Sequence, residues 1–230
     1  MGVHVGPEII GMPFEGHGVT DGLVFYLDAA DRASYPGTSG YGTWSDLTGH
    51  KNASISTSTT FGTSPDRIIF DNVNGTIGVG PTAWHGTSEC TIEMWYYPDA
   101  GHTGCCDTVF GRYDFRFFSI NQALYLMIAF NDNSSRVYQH PAFGVAEDTW
   151  HHCVGMRRGN DYIFWIDGVE KYNGNYQAGN ALWAPNSQAW YIQESARHDN
   201  EYSILKIYDR GLTDAEILYN YNSQRGRFGV

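Results

Sequence analysis

The sequence is poor in basic residues. Lys and Arg total 14 against 25 Asp and Glu, a formal net charge of -11 at pH 7, and no basic run is longer than Arg157-Arg158. Binding to a phosphate backbone depends on concentrated cationic side chains, so nucleic acid is not an expected partner. The acidic balance suits solubility and docking on a basic surface. Long apolar runs are also missing. No stretch of 18 apolar residues occurs, which argues against membrane insertion as a helix, and residues 1–30 lack the basic start and continuous apolar segment of an export signal. The expectation is a soluble chain made without export. Cysteine is scarce: Cys90, Cys105, Cys106 and Cys153 show no Cys-x-x-Cys zinc spacing. Free thiols follow, with Cys90 and Cys153 as small core residues and Cys105-Cys106 in a loop running from Ala100 to Asp107. No His-x-His pair, nucleophile elbow or Gly-rich phosphate loop of specific spacing is present.

What is abundant points to strands. Aromatic residues make up 15% of the chain and glycines number 27, which favours pleated strands and tight turns over helix bundles. A chain of 230 residues can bury a core without help from metal or disulfides, and one all-β domain of this size is ordinary. Met1 to Asp21, with Pro7, Pro13 and the isolated apolar residues Ile9, Ile10, Met12 and Phe14, has neither helical nor alternating pattern. It reads either as a disordered terminus or as an extended arm that packs on a neighbouring subunit. The predicted division is therefore an arm over 1–21 and one domain over 22–230.

Within the domain, Gly22 to Ala29 alternates as a strand, and Cys90 to Tyr97 forms another. Short strands are expected over 109–113, 115–121, 123–130, 135–140 and 183–194. Thr149 to Tyr172 reads as a three-stranded antiparallel meander. Arg157 to Asp161 forms its first loop and Asp167-Gly168 a two-residue turn. In its first strand Trp150, His152, Val154 and Met156 fall on one face, and His151, Cys153 and Gly155 on the other. Its second strand, Tyr162 to Ile166, is bulky on both faces and should be covered on both. After a strand at Tyr202 to Tyr208, Thr213-Asp214-Ala215-Glu216 opens a short helix with a capping box, Leu212 stapling onto Ile217, and Ile217, Leu218 and Tyr221 on one face.

Several of these segments carry a resemblance. Trp150 to Val154, Tyr162 to Ile166 and Asp167-Gly168-Val169 resemble the core of the concanavalin A-like lectin/glucanase superfamily, in particular its laminin G-like jelly-roll branch. The run Asp28 to Gly49, with Ser34-Tyr35-Pro36-Gly37 and Trp44-Ser45-Asp46-Leu47-Thr48-Gly49, is similar to laminin G-like domains of tailed-phage virion proteins. So are the Ile207 to Ile217 run and the ending Gly226 to Val230. Cys90 to Pro98 resembles the family's long central strand, and Ile68 to Asn72 its apolar-Phe-Asp strand end. The resemblance implies an all-β, two-sheet antiparallel β-sandwich of jelly-roll type with a short C-terminal helix.

It also frames the chemistry. A glycoside hydrolase needs two carboxylates about 5 to 9.5 Å apart. The glucanase motif Glu-x-Asp-x-x-Glu is absent, and Glu89 and Glu93, though on one face, stand roughly 13 Å apart along a strand. Asp199 and Glu201 read as solvated turn residues, and Asp214 and Glu216 as favourable charges in the first helical turn. His151 and His152 point to opposite faces and read as structural. Catalysis is not expected. Calcium is the one metal the resemblance admits, through Asp28, Asp46 and Asp71, which are otherwise turn formers. Glycan stacking is its commonest non-enzymatic activity, with Trp84, Tyr97 and Tyr113 in or beside loops as the platform, or else as packing surface. The expected function is a non-enzymatic phage virion structural protein of capsid-decoration or tail-accessory type. It would be a homo-oligomer on the particle, contacting other capsid or tail subunits and possessing or lacking adhesion to host glycans; a free lectin module is the alternative.

Overall fold

The computed structural model describes residues 18–70, 89–100, 105–112, 115–120, 123–128, 143–159, 161–175, 190–193 and 200–230. In chain order the described strands are β1 (Leu23–Asp28), β2 (Thr43–Trp44), β3 (Ala53–Ser54), β4 (Thr60–Gly62), β5 (Arg67–Ile69), β6 (Cys90–Tyr97), β7 (Cys105–Arg112) and β8 (Phe115–Ile120). They continue as β9 (Ala123–Ile128), β10 (Phe143–Gly144), β11 (His151–Arg158), β12 (Asp161–Ile166), β13 (Val169–Asn175), β14 (Trp190–Ile192) and β15 (Glu201–Tyr208), and the helix α1 (Asp214–Phe228) follows. One eight-stranded sheet has the order β13-β12-β11-β6-β15-β5-β4, with β1 also paired to β15. A five-stranded sheet has the order β10-β9-β8-β7-β14, and β2-β3 form a small ribbon. Among the described residues every strand pairing is antiparallel.

Strand alternation makes the sandwich. Ile92, Met94, Phe25, Leu27, Cys153, Phe164, Leu205 and Ile207 of the large sheet share one buried core with Phe110, Phe115, Phe117, Leu124 and Leu126 of the small one. Phe117 and Phe164 meet across it with ring centroids 5.5 Å apart. Gly155 is needed for this approach, because a Cβ there would lie 2.6 Å from Leu126 Cδ1 and 3.0 Å from Phe117 Cζ. The opposite face of the large sheet is also buried. Val154, Met156, Ile163, Trp165, Tyr208, Leu212 and Ile217 form one cluster, and Tyr26, Trp95, Trp150, Ile204 and Phe228 another, both beneath α1. The meander's expected alternation and its doubly covered middle strand are therefore observed.

The predicted turn at Asp167-Gly168 is present with positive φ at both residues, 52° and 72°. The first meander loop is tighter than the expected five residues, since Arg158 already pairs with Asp161. Cys105 and Cys106 belong to β7 and not to a loop, because the strand begins there. Cys90 and Cys153 are buried thiols outside any disulfide. The helix is capped as the sequence indicates: the Thr213 side chain accepts from the Glu216 amide while Glu216 bonds back to the Thr213 amide, and Gly229 closes the C-terminus with φ 73°. It is longer than expected, and of the expected face Ile217 and Tyr221 pack on the sheet while Leu218 does not. Its buried residues are Ile217, Asn220, Gln224 and Phe228, whereas Leu218 is 38% exposed. Predicted strands at 135–140 and the arm residues Ile9, Ile10, Met12 and Phe14 lie outside the described residues.

Candidate functional site

The segment after β1 folds around two aspartates. Asp28 accepts the Ala30 amide at 2.9 Å and the Tyr26 hydroxyl at 3.0 Å, while its own amide donates to Ser34 Oγ. Asp46 is surrounded by donors: its oxygens take the amides of Tyr26, Thr48, His50 and Lys51 and the Thr48 hydroxyl, at 2.7 to 3.0 Å. A short carboxylate side chain that captures nearby amides in this way holds a loop without regular structure. Arg227, near the end of α1, reaches across with Nη1 2.7 Å from Asp28 Oδ1 and Nη2 2.6 Å from Ser203 Oγ. The two segments with the phage-like resemblance, Asp28 to Gly49 and the chain's ending, thus meet in space and brace each other.

This unit walls a cleft of about 370 Å³ lined by Thr20, Leu23, Tyr26, Asp31, Leu47, Thr48 and His50. Leu23 and Leu47 pack on the cluster that contains Tyr26 and Trp95. Because the Tyr26 hydroxyl is bound to Asp28, and the Thr48 hydroxyl lies 2.7 Å from Asp46, both offer the cleft mainly carbon. Burial, with Asp28 beside it, pushes the Tyr26 phenol well above its usual range, so it stays neutral. Asp31 adds a carboxylate whose Oδ1 accepts the Ala33 amide at 2.8 Å. The volume is at the lower end for small-ligand sites.

Behind the cleft, under α1, lies a sealed polar cluster. Glu93 of β6 and Lys206 of β15 are direct cross-strand partners, and both are fully buried. Lys206 Nζ donates to Glu93 Oε1 at 3.2 Å, and Asn220 Nδ2 donates to Glu93 Oε2 at 2.6 Å and to the Tyr208 oxygen at 3.1 Å. His152 Nε2 stands 3.3 Å from Glu93 Oε1. Burial alone would raise the Glu93 carboxyl, but Lys206, His152 and Asn220 outweigh it and hold it at about 2. The cluster also grips the start of the described chain. The Val19 amide donates to Asn220 Oδ1 at 2.7 Å, and the Tyr208 hydroxyl donates to the Val19 carbonyl at 3.1 Å. Gly18 is required there, since a Cβ would collide with Asn220 Oδ1.

Sequence reasoning weighed Glu93 only against Glu89 and missed this pairing. A partial signal was available: Glu93 is the one charge in β6, and Lys206 stands among apolar residues of β15, so each needs a buried partner, although the sequence does not say which. Of the other carboxylates, Glu201 is half-buried and paired with Arg67, not in a solvated turn. Burial raises it and Arg67 opposes the shift. Glu216 is lowered to about 2, chiefly by hydrogen bonds from Arg210. His151 and His152 do point apart: His151 Nδ1 lies 2.7 Å from Asp167 Oδ2 and Nε2 3.0 Å from the Ala146 carbonyl.

Two of the residues singled out for calcium, Asp28 and Asp46, are each held by groups of their own surroundings. Asp28 is tied to Arg227 and Asp46 to its loop amides, and among the described residues no group of three or more His, Cys, Asp or Glu is placed to hold a metal ion. Asp71 lies outside the described residues. Of the proposed stacking aromatics, Tyr97 is half-buried with its ring 5.5 Å from that of Trp150, while Trp84 and Tyr113 lie outside. Among the described residues no helix is long and apolar enough to cross a membrane.

A family model described as the concanavalin A-like lectin/glucanases superfamily matches residues 71–218. Among solved structures, the binding domain of Paraclostridial Mosquitocidal Protein 1 is similar with TM-score 0.71 and 16% identity, covering 88% of this chain and 52% of that one. The receptor binding domain of botulinum neurotoxin D gives TM-score 0.63 and 11% identity over 89% of this chain and 53% of the other. Trypanosoma rangeli sialidase, solved in complex with sialic acid, gives TM-score 0.65 and 13% identity over 90% of this chain. The chain spans only 33% of that sialidase and about half of the two binding domains. No curated protein matches the sequence.

Proposed function

The chain belongs to the concanavalin A-like lectin/glucanases superfamily, and from that premise we propose that it is a non-catalytic binding module of a tailed-phage virion, held by contacts with neighbouring capsid or tail proteins. The fold itself is shared by sialidases and by receptor-binding domains. The observation that carries the reading is the braced unit of Asp28 to Gly49 with Arg227. The two segments that resemble phage virion domains form one rigid wall, and its carboxylates Asp28 and Asp46 are committed to holding the wall together. Glu93 is likewise locked behind Lys206 and Asn220. Such groups supply shape and not proton transfer, which supports binding over hydrolysis.

The fixed root of residues 1–17 adds a second support. Val19 is bound on both sides to the buried cluster, so what precedes it leaves from an anchored point, suited to lie along a neighbouring subunit. The test is to mix the full chain, and a variant lacking residues 1–17 but keeping Gly18 and Val19, with particles that lack the protein, and to sediment them. The full chain pellets with the particles; the shortened one stays in the supernatant while melting at the same temperature. Equal pelleting of both would overturn the arm's role.

Glycan recognition is the second reading, supported by the half-buried Tyr97 ring beside Trp150 and by the likeness of the fold to the binding domain of Paraclostridial Mosquitocidal Protein 1 and the receptor binding domain of botulinum neurotoxin D. It calls for glycan-array signal that Tyr97→Ala removes.

A further inference from the structure

We propose that the cleft between β1 and the Thr43 to His50 segment is a socket for a single Lys or Arg side chain presented by a partner protein. This rests on the reading of the chain as a binding module and names what that module grips. Leu23, Leu47 and the Tyr26 ring give the cleft an apolar body, and Asp31 gives it a carboxylate. A basic side chain has the matching form, an aliphatic stem that lies along apolar surface and a cationic head that seeks a carboxylate.

Charge favours the same occupant. The lining contains Asp31 and no Lys or Arg. Asp46 lies directly behind it, neutralised by amide dipoles and not by a cation. The positive groups nearest the floor are already matched, Lys206 with Glu93 and Arg227 with Asp28. The whole chain carries -11. Residues 1–31 contain no Lys or Arg, the first being Arg32. A protein with a basic surface is the partner that fits this balance.

The experiment follows amide chemical shifts of the full ¹⁵N-labelled chain during titration with acetyl-Gly-Lys-Gly-amide and its Arg counterpart, and with norleucine and Glu versions as controls. The basic peptides shift Leu23, Asp31, Leu47, Thr48 and His50 with a dissociation constant in the millimolar range. The norleucine peptide binds severalfold more weakly and the Glu peptide not at all. Asp31→Asn, whose amide oxygen still accepts the Ala33 amide, weakens the basic peptides about two- to fivefold, the range of a partly exposed ion pair. Raising salt to about 1 M does the same in the unchanged protein. Absence of cleft shifts with the basic peptides, or equal shifts with Lys, norleucine and Glu, would overturn the socket. Cleft shifts caused by neutral saccharides in place of basic peptides would also overturn it and move the module to glycan recognition. A cleft that takes the basic peptides in a protein that ignores particles would leave the socket standing and sink the virion assignment.

Discussion

Glu93 and Lys206 set the chemistry of the helix-covered face. A carboxylate with no exposed surface is tolerable only because an ammonium, an amide and an imidazole surround it. Replacing Lys206 by Met leaves that carboxylate buried and unpaired, and should destabilise the fold by about 3 to 5 kcal/mol in urea denaturation. The double variant Glu93→Met with Lys206→Met should recover part of the loss; a single-variant loss below about 1 kcal/mol would contradict the account. The same group fixes a pH dependence. The Glu93 carboxyl is held at about 2, below its unfolded value of 4.5, so its contribution is complete above pH 4.5 and is lost as pH falls through the interval down to about 2. Glu216 acts in the same sense. Acid titration of unfolding should show this slope in the native chain and a shallower one in Glu93→Gln. At this scale the turn former Asp46 was readable, because it acts on the amides of Thr48, His50 and Lys51, close by in sequence. The Glu93–Lys206 pair joins residues separated by 113 positions, and local spacing carries no trace of that proximity.

The helix α1 shows which parts of an element can be read locally. Its capping box, its staple and its Gly229 terminus are contacts within a turn or two, and the sequence states them. Its orientation is set by the sheet beneath. The buried stripe includes Asn220 and Gln224, which serve Glu93 and the Trp95 indole, the latter at 2.7 Å, so apolar periodicity finds Ile217 and Tyr221 but adds the exposed Leu218 and misses these polar members. Phe228 stacks on Trp95 with centroids 4.0 Å apart and carries the helix to its end. Thr213→Ala removes the cap acceptor and should cost about 1 kcal/mol, lowering the melting temperature by roughly 2 to 4 °C. An unchanged melting temperature would show that the Arg210–Glu216 ion pair alone holds that turn.

At the scale of the whole molecule, the sandwich was legible through its motifs: the meander, the Asp167-Gly168 turn and the closing signature all occupy the places their resemblance implied. What the sequence could not place was the meeting of β1 with β15 and of Arg227 with Asp28, which closes the first and last described segments into one wall and creates the cleft. The central claim is that this closed module works by binding as part of a particle. Titrating the full chain onto particles that lack it, sedimenting them and counting bound copies tests that claim most directly. The account predicts saturation at a fixed copy number per particle. A chain that stays in the supernatant at every concentration, or that instead turns over a polysaccharide, would contradict it.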